Sequence, residues 1–374
     1  MMSGLCCHSR PTGVQVRSRS DERAKAGATV GSVNYVDGEV GVVPGFAVVA
    51  EIGVHQGGVS GIAASSDANR LIVTNCGSDS VSSIDTRSGA LVRTVVGIPE
   101  PFAIAIAANR AYVSTVSTAY DAIVALDVDT NRIVAVHPMA ESVRDLAVSP
   151  DGRRVYAART AAGGADVAVL DIRTGQVDEI TIAATRGTAA ECVRAHADGG
   201  RLYVGANSAA GGTLAVVDVE QRRVVGNVEI ASPIRDIALS PNGDRAYIAS
   251  CGPDFGTILD VVDIRTNAVV STHKIAEIGG LVTQLTLSRD GQRAYLVGDD
   301  SVTVLRTATH EVVGAISVGG QPSCVVESPH GDSLYIGDYA GTVSVFSVDA
   351  ADDQPTARHE WTMPELLRLE PALT

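Results

Sequence analysis

The chain has 374 residues, 45 % of them hydrophobic, with 38 glycines, few large aromatics and a formal charge of −14. That excess of carboxylates excludes binding that rests on clustered Lys and Arg, so neither nucleic acid nor membrane insertion is expected. Six cysteines without CxxC spacing indicate no disulfide framework or zinc finger.

Residues 1–45 read as a flexible segment. "RSRSDERAK" is a solvated charged stretch, and "MMSGLCCHSR" has no continuous apolar core of the secretory kind. A cytoplasmic location is favoured on that ground. Cys6, Cys7 and His8 offer soft ligands but cannot complete a tetrahedral site alone.

From residue 46 to 348 the chain repeats itself. "LAVSPDGRRVYAAR" at Leu146–Arg159 returns as "IALSPNGDRAYIAS" at Ile237–Ser250 and as "LTLSRDGQRAYLVG" at Leu285–Gly298. The anchors Ile72, Tyr112, Tyr156, Tyr203, Tyr247, Tyr295 and Tyr335 stand 40 to 48 residues apart, a period of four-stranded propeller blades. Each unit reads as a short apolar strand, an SPDG-type turn, a second strand, a variable Gly-rich connection, a third strand, a tight "RTG" or "DTN" turn and a fourth strand.

Closure is legible by counting. Six units carry their own fourth strand, but the seventh ends at "GTVSVFSVD" without one, while "FAVVAEIGV" at Phe46–Val54 stands before the first unit. Pairing those two segments closes an all-β, seven-bladed propeller without a gap. Residues 349–374 form a tail holding Trp361, with Met363, Leu366, Leu367 and Leu369 on one side of a short helix after Pro364, expected to pack on the propeller.

"LIVTN" at Leu71–Asn75, the "SPDG" turns and the "VVDIRTN" third strand resemble the YVTN-type repeats of surface-layer and periplasmic seven-bladed propellers, over residues 46–348. The resemblance implies the fold and, through its relatives, an extracytoplasmic alternative for location. It is poor for function, because its defining residues are turn and packing residues.

Two residues before the anchors stand Arg70, Arg110, Arg154, Arg201, Arg245 and Arg293, and Asp85, Asp127, Asp171, Asp218 and Asp263 recur after them. A site used once does not repeat in every unit, so these read as structural. Function is sought where units differ, at the start of each innermost strand. Eleven residues before the anchors come Gly61, Asp145, Cys192, Asp236, Gln284 and Cys324, with Ala103 in the shorter second unit. Ser60, Arg144, Glu191, Arg235, Thr283 and Ser323 precede them.

Arg144, Asp145, Glu191, Arg235, Asp236 and Gln284 are thus the candidate ligand-binding residues at the channel mouth, where converging charge suits a polar ligand or peptide. The alternative reading of the charges is an internally paired cluster that closes the channel. The loops Ser117–Asp121, Ala161–Asp166, Ser208–Gly212 and Gly252–Gly256 form a second candidate surface.

No catalytic residue, metal or cofactor is assigned: the histidines are scattered, and no nucleophile elbow or phosphate loop occurs. The expected role is a non-catalytic recognition or scaffold propeller that binds a protein, peptide or polar small molecule at one face of the ring, with a protein or peptide partner expected. The rival is an enzyme at the channel mouth, a lactonase-like hydrolase or a metal- or cofactor-dependent one, with Asp145, Glu191 and Asp236 as bases or ligands.

Overall fold

A computed structural model describes residues 43–349 apart from 118–119, 253–255, 277 and 279. The Cys6–Cys7–His8 run and the tail helix after Pro364 lie outside the described residues. The described chain forms seven four-stranded sheets and a single three-residue 3-10 turn at Cys76–Ser78. All strand pairs are antiparallel, as hairpin connections of this length require.

The innermost strands of blades 1 to 7 are Val59–Ala64, Ile104–Ala107, Ser142–Val148, Ala189–Ala195, Ile234–Leu239, Gln284–Leu287 and Pro322–Glu327. Phe46–Gly53 pairs with Thr342–Val348 as the outer strand of blade 7, from Phe46 opposite Val348 to Gly53 opposite Thr342. This is the closure read from the repeat count. Blade 6 clamps both ends of the joint: the Phe46 ring meets Tyr295 edge-on at 6.1 Å and lies under the Arg293 guanidinium, whose Nη2 donates to the Asp349 carbonyl at 2.9 Å.

Both faces of each sheet are apolar, so the core lies between blades. Tyr156 and Val167 of blade 3 pack with Val193 and Leu202 of blade 4, while Tyr203 and Leu214 of blade 4 pack with Ile237 and Ile248 of blade 5. The repeated Arg and Asp are strand partners, Arg70 opposite Asp85, Arg154 opposite Asp171 and Arg245 opposite Asp263. Each Asp also accepts backbone N–H groups of the next turn, as Asp85 does from Ser88 and Asp171 from Thr174. That is turn chemistry, which explains why it recurs.

Register fixes two distinct faces. The first residue of each inner strand lies opposite the last residues of the second strand, Ser142 against Thr160 and Ala189 against Asn207. The channel mouth and the loops between second and third strands are therefore on one face, the mouth face. The SPDG-type turns lie at the other end, the base.

Ile52 is buried against Leu71, Val73 and Val343, joining the closing strand to blade 1. Ile52→Ala is expected to lower unfolding free energy by about 2–5 kcal/mol, measured by urea denaturation. A loss below about 1 kcal/mol would mean that the joint contributes little.

Candidate functional site

Five of the seven inner strands, those of blades 1, 3, 4, 5 and 7, share an irregularity that re-aims the candidate residues they carry. Register slips by one residue between Val59 and Gly61, Val143 and Asp145, Ala190 and Cys192, Ile234 and Asp236, and Pro322 and Cys324. The residues inserted at these bulges are Ser60, Arg144, Glu191, Arg235 and Ser323. A bulge leaves its extra residue out of the ladder and re-aims the side chains on either side of it.

The six candidates fall into two sets. Asp145, Asp236 and Gln284 are clips between neighbouring blades. Asp145 Oδ1 accepts the Leu146 N–H, and its Oδ2 accepts the Val193 N–H of blade 4 at 2.9 Å. Asp236 repeats the pattern one blade pair on, accepting Ile237 N–H at Oδ1 and Leu285 N–H of blade 6 at Oδ2. Gln284 binds blade 7 through both ends of its amide, accepting from Val325 N–H at 2.7 Å and donating to the Val325 carbonyl at 3.2 Å. Arg144 and Arg235 are exposed and Glu191 is half-buried, and none of the three makes an ion pair among the described residues.

The residue that joins the carboxylates is Arg194, which lies outside the six candidate positions. Its guanidinium reaches Asp145 through Nη1 and Asp236 through Nη2, both at 2.5 Å, and so ties blades 3, 4 and 5. The alternative of an internally paired cluster holds for Asp145 and Asp236, but their cation is Arg194 and not Arg144 or Arg235. A signal for it existed. The inner-strand residue opposite each anchor is Ala63, Ala105, Ala147, Arg194, Ala238, Thr286 and Val326. Blade 4 alone places a long cation in a ring of small side chains.

Electrostatics follow from burial. Asp236 is 4 % exposed, and its carboxyl is pushed up to about 6 by that burial, with Arg194 opposing and the Asp145 charge adding to the rise. Burial works against the Arg194 charge, yet the two carboxylates hold its pKa above the usual arginine value. At neutral pH the group is a carboxylate–guanidinium–carboxylate bridge. Arg194 also borders a cavity of about 400 Å3 shared with Ala238, Gln284, Thr286 and Arg289, which opens towards the base.

Cys192 and Cys324 are inert by the same physics. Each faces a glycine, Gly205 and Gly337, whose missing Cβ makes room for the sulfur. Burial pushes the Cys192 thiol well above its usual value and that of Cys324 up to about 12, so neither supplies a thiolate near neutral pH. Among the described residues no group of three or more His, Cys, Asp or Glu is placed to hold a metal.

Removing one partner of a buried pair leaves the other charge uncompensated. Arg194→Ala is expected to lower stability at pH 7 by about 3–5 kcal/mol, with part of the loss restored by adding Asp236→Asn. Because the folded carboxyl titrates above its ordinary 3.8, Asp236 favours folding below that pH and costs stability as pH rises from about 4 through about 6. Arg194→Ala should enlarge that cost, so urea denaturation should show a smaller mutational loss at pH 4.5 than at pH 7, values that bracket the folded pKa of about 6. An equal loss at both pH values would show that Asp236 is not the group responsible.

No family model matches the chain. It is 46 % identical to the seven-bladed beta-propeller protein Rv1057 of Mycobacterium tuberculosis, over 90 % of this chain and 95 % of that protein. A chain of the solved hydrazine synthase of Kuenenia stuttgartiensis superposes with a TM-score of 0.71, covering 81 % of this chain and 98 % of that one. At 18 % identity that likeness concerns the fold alone. With seven antiparallel blades closed by a strand from the amino-terminal side, and identity of that extent to a propeller of the same blade number, the chain belongs to the seven-bladed beta-propeller proteins.

Proposed function

We propose that the protein is a non-catalytic recognition or scaffold propeller, of the YVTN-repeat kind, that binds a protein or peptide partner at its mouth face. The observation that carries this reading is the commitment of Asp145 and Asp236, two of the three channel acids, and of Gln284. Both oxygens of Asp145 and of Asp236 already accept backbone N–H or Arg194 donors, and both ends of Gln284 are engaged. A general base must reach a substrate proton, and a metal ligand must offer a lone pair. These side chains offer their capacity to neighbouring blades instead.

What faces solvent is different in kind. Arg144 and Arg235 stand on bulges of blades 3 and 5, with Glu191 between them on blade 4. Rigid strands carrying exposed charges beside variable loops form a recognition surface whose backbone need not rearrange on binding.

The test is fluorescence anisotropy with labelled acidic, basic and neutral hexapeptides against the full chain, beside turnover assays with a lactone and an ester. Saturable binding of a peptide without turnover is expected, together with unchanged unfolding midpoints for Arg144→Ala/Arg235→Ala. Turnover that Asp236→Asn abolishes in a folded protein would overturn the reading in favour of a hydrolase.

A further inference from the structure

The mouth face divides into two chemically distinct halves, and the half away from Arg144 and Arg235 is built from loops of blades 7, 1 and 2. All three exposed large aromatics among the described residues lie there, Phe102 at 42 %, Tyr120 at 53 % and Tyr339 at 48 % exposure. These loops adjoin one another. Tyr339, in the turn between the second and third strands of blade 7, backs onto Gly58, where an added Cβ would lie 3.0 Å from the Tyr339 carbonyl oxygen. Ser60 Oγ, two residues on, donates to the Pro101 carbonyl at 2.8 Å, next to Phe102. Val116 N–H donates to the Pro99 carbonyl, which draws the Tyr120 loop to the same place.

The charge of this half is of one sign. Asp79 and Glu100 are exposed and Asp121 and Glu141 half-buried, and none of the four is in an ion pair among the described residues. Residues 54–60, 76–79, 97–103, 116–121, 140–141 and 339–341 include no Lys or Arg. Backbone strain gathers here as well. The mouth-face residues other than glycine with positive φ are His55 (53°), Asp79 (48°) and Glu100 (37°), all on these loops, and Asp79 Oδ1 holds the Glu100 N–H at 2.9 Å. Strain of this kind persists only where surrounding contacts fix it, and it sets the backbone from which both carboxylates project.

We infer that this half of the mouth face docks a cationic peptide segment, an Arg- or Lys-bearing strand or loop of a partner protein. Guanidinium and ammonium groups are attracted by the faces of Phe and Tyr and by unpaired carboxylates, and a patch offering both selects them over neutral or acidic segments. Arg144, Arg186 and Arg235, on blades 3 to 5 of the same face and without ion pairs, repel the cationic end and orient the segment across the ring. The inference rests on the mouth face being the recognition surface and adds the chemistry of what it recognises.

The test uses the full chain with fluorescein-labelled hexa-arginine and hexa-glutamate at about 0.15 M salt, where distant charges are screened. Saturable binding of hexa-arginine is expected, weakened about tenfold by Asp79→Asn/Glu100→Gln and again by Phe102→Ala. Asn at 79 tolerates positive φ and can still accept the Glu100 N–H, so the loops keep their shape. The charge-matched control is Asp299→Asn/Asp300→Asn, on a blade 6 loop of the same face, and it should leave binding unchanged. Equal weakening by the control would reduce the effect to net charge and overturn the inference. Saturable hexa-glutamate binding lost in Arg144→Ala/Arg235→Ala, without hexa-arginine binding, would overturn it while leaving recognition at this face standing. Failure of both peptides to saturate would remove this inference and count against the recognition reading itself.

Discussion

Every blade of this molecule is apolar on both faces, and that single constraint explains the ring. A sheet with two apolar faces needs two neighbours, so a row of such sheets is stable only if its first and last members meet. The strand Phe46–Gly53 makes the meeting covalent in effect, because a segment that precedes blade 1 in sequence is hydrogen-bonded into blade 7. Val54 and Val59 then pack with Cys324, Tyr335 and Val343 across the seam. Opening the ring at that seam would expose the faces of two blades together with a strand edge.

Closure in turn places seven inner strands side by side around a channel, where their polar groups must be satisfied without crowding. The mouth solves this with side chains that bind the next blade's backbone, Asp145 to Val193, Asp236 to Leu285 and Gln284 to Val325. Two of those clips are acids on alternate blades, which places like charges on either side of blade 4. Arg194 answers that arrangement: one cation bridges both, leaving a single net negative charge, and Ala, Thr or Val at its counterparts leaves it space. The residues that looked most chemical in the sequence are in this way parts of the frame.

How much of this was legible follows from what a linear pattern encodes. Strand order, blade number and closure came from recurring turns and from a missing fourth strand, because turn chemistry is local. Asp145, Asp236 and Gln284 were found because they occupy one register position in different units. Arg194 lies two positions beyond the strand-entry register, where comparison between units separates it from Ala147 and Ala238. The split between Arg144 and Asp145 was hidden for another reason. Adjacent residues in a strand point to opposite faces, and only the bulge, which has no sequence mark here beyond its position, decides how they are re-aimed.

The aromatic and acidic half of the mouth face was invisible for a third reason, since Gly58, Glu100, Tyr120 and Tyr339 come from the loops of blades 1, 2 and 7, and Tyr339 meets Gly58 only when the ring closes. Their meeting depends on the same seam that stabilises the fold: Tyr339 belongs to the blade that the closing strand completes, and Gly58 leads into the blade beside it. The surface is therefore complete only in the closed ring, at the segments that join the two ends of the propeller. The donors and acceptors of the Asp145–Arg194–Asp236 bridge are taken up within the wall, so the groups offered to a partner are the exposed charges above it. Carboxylates and rings on one side of the face and guanidinium groups on the other give it a polarity, and a polar face fixes the direction in which a segment can lie across it.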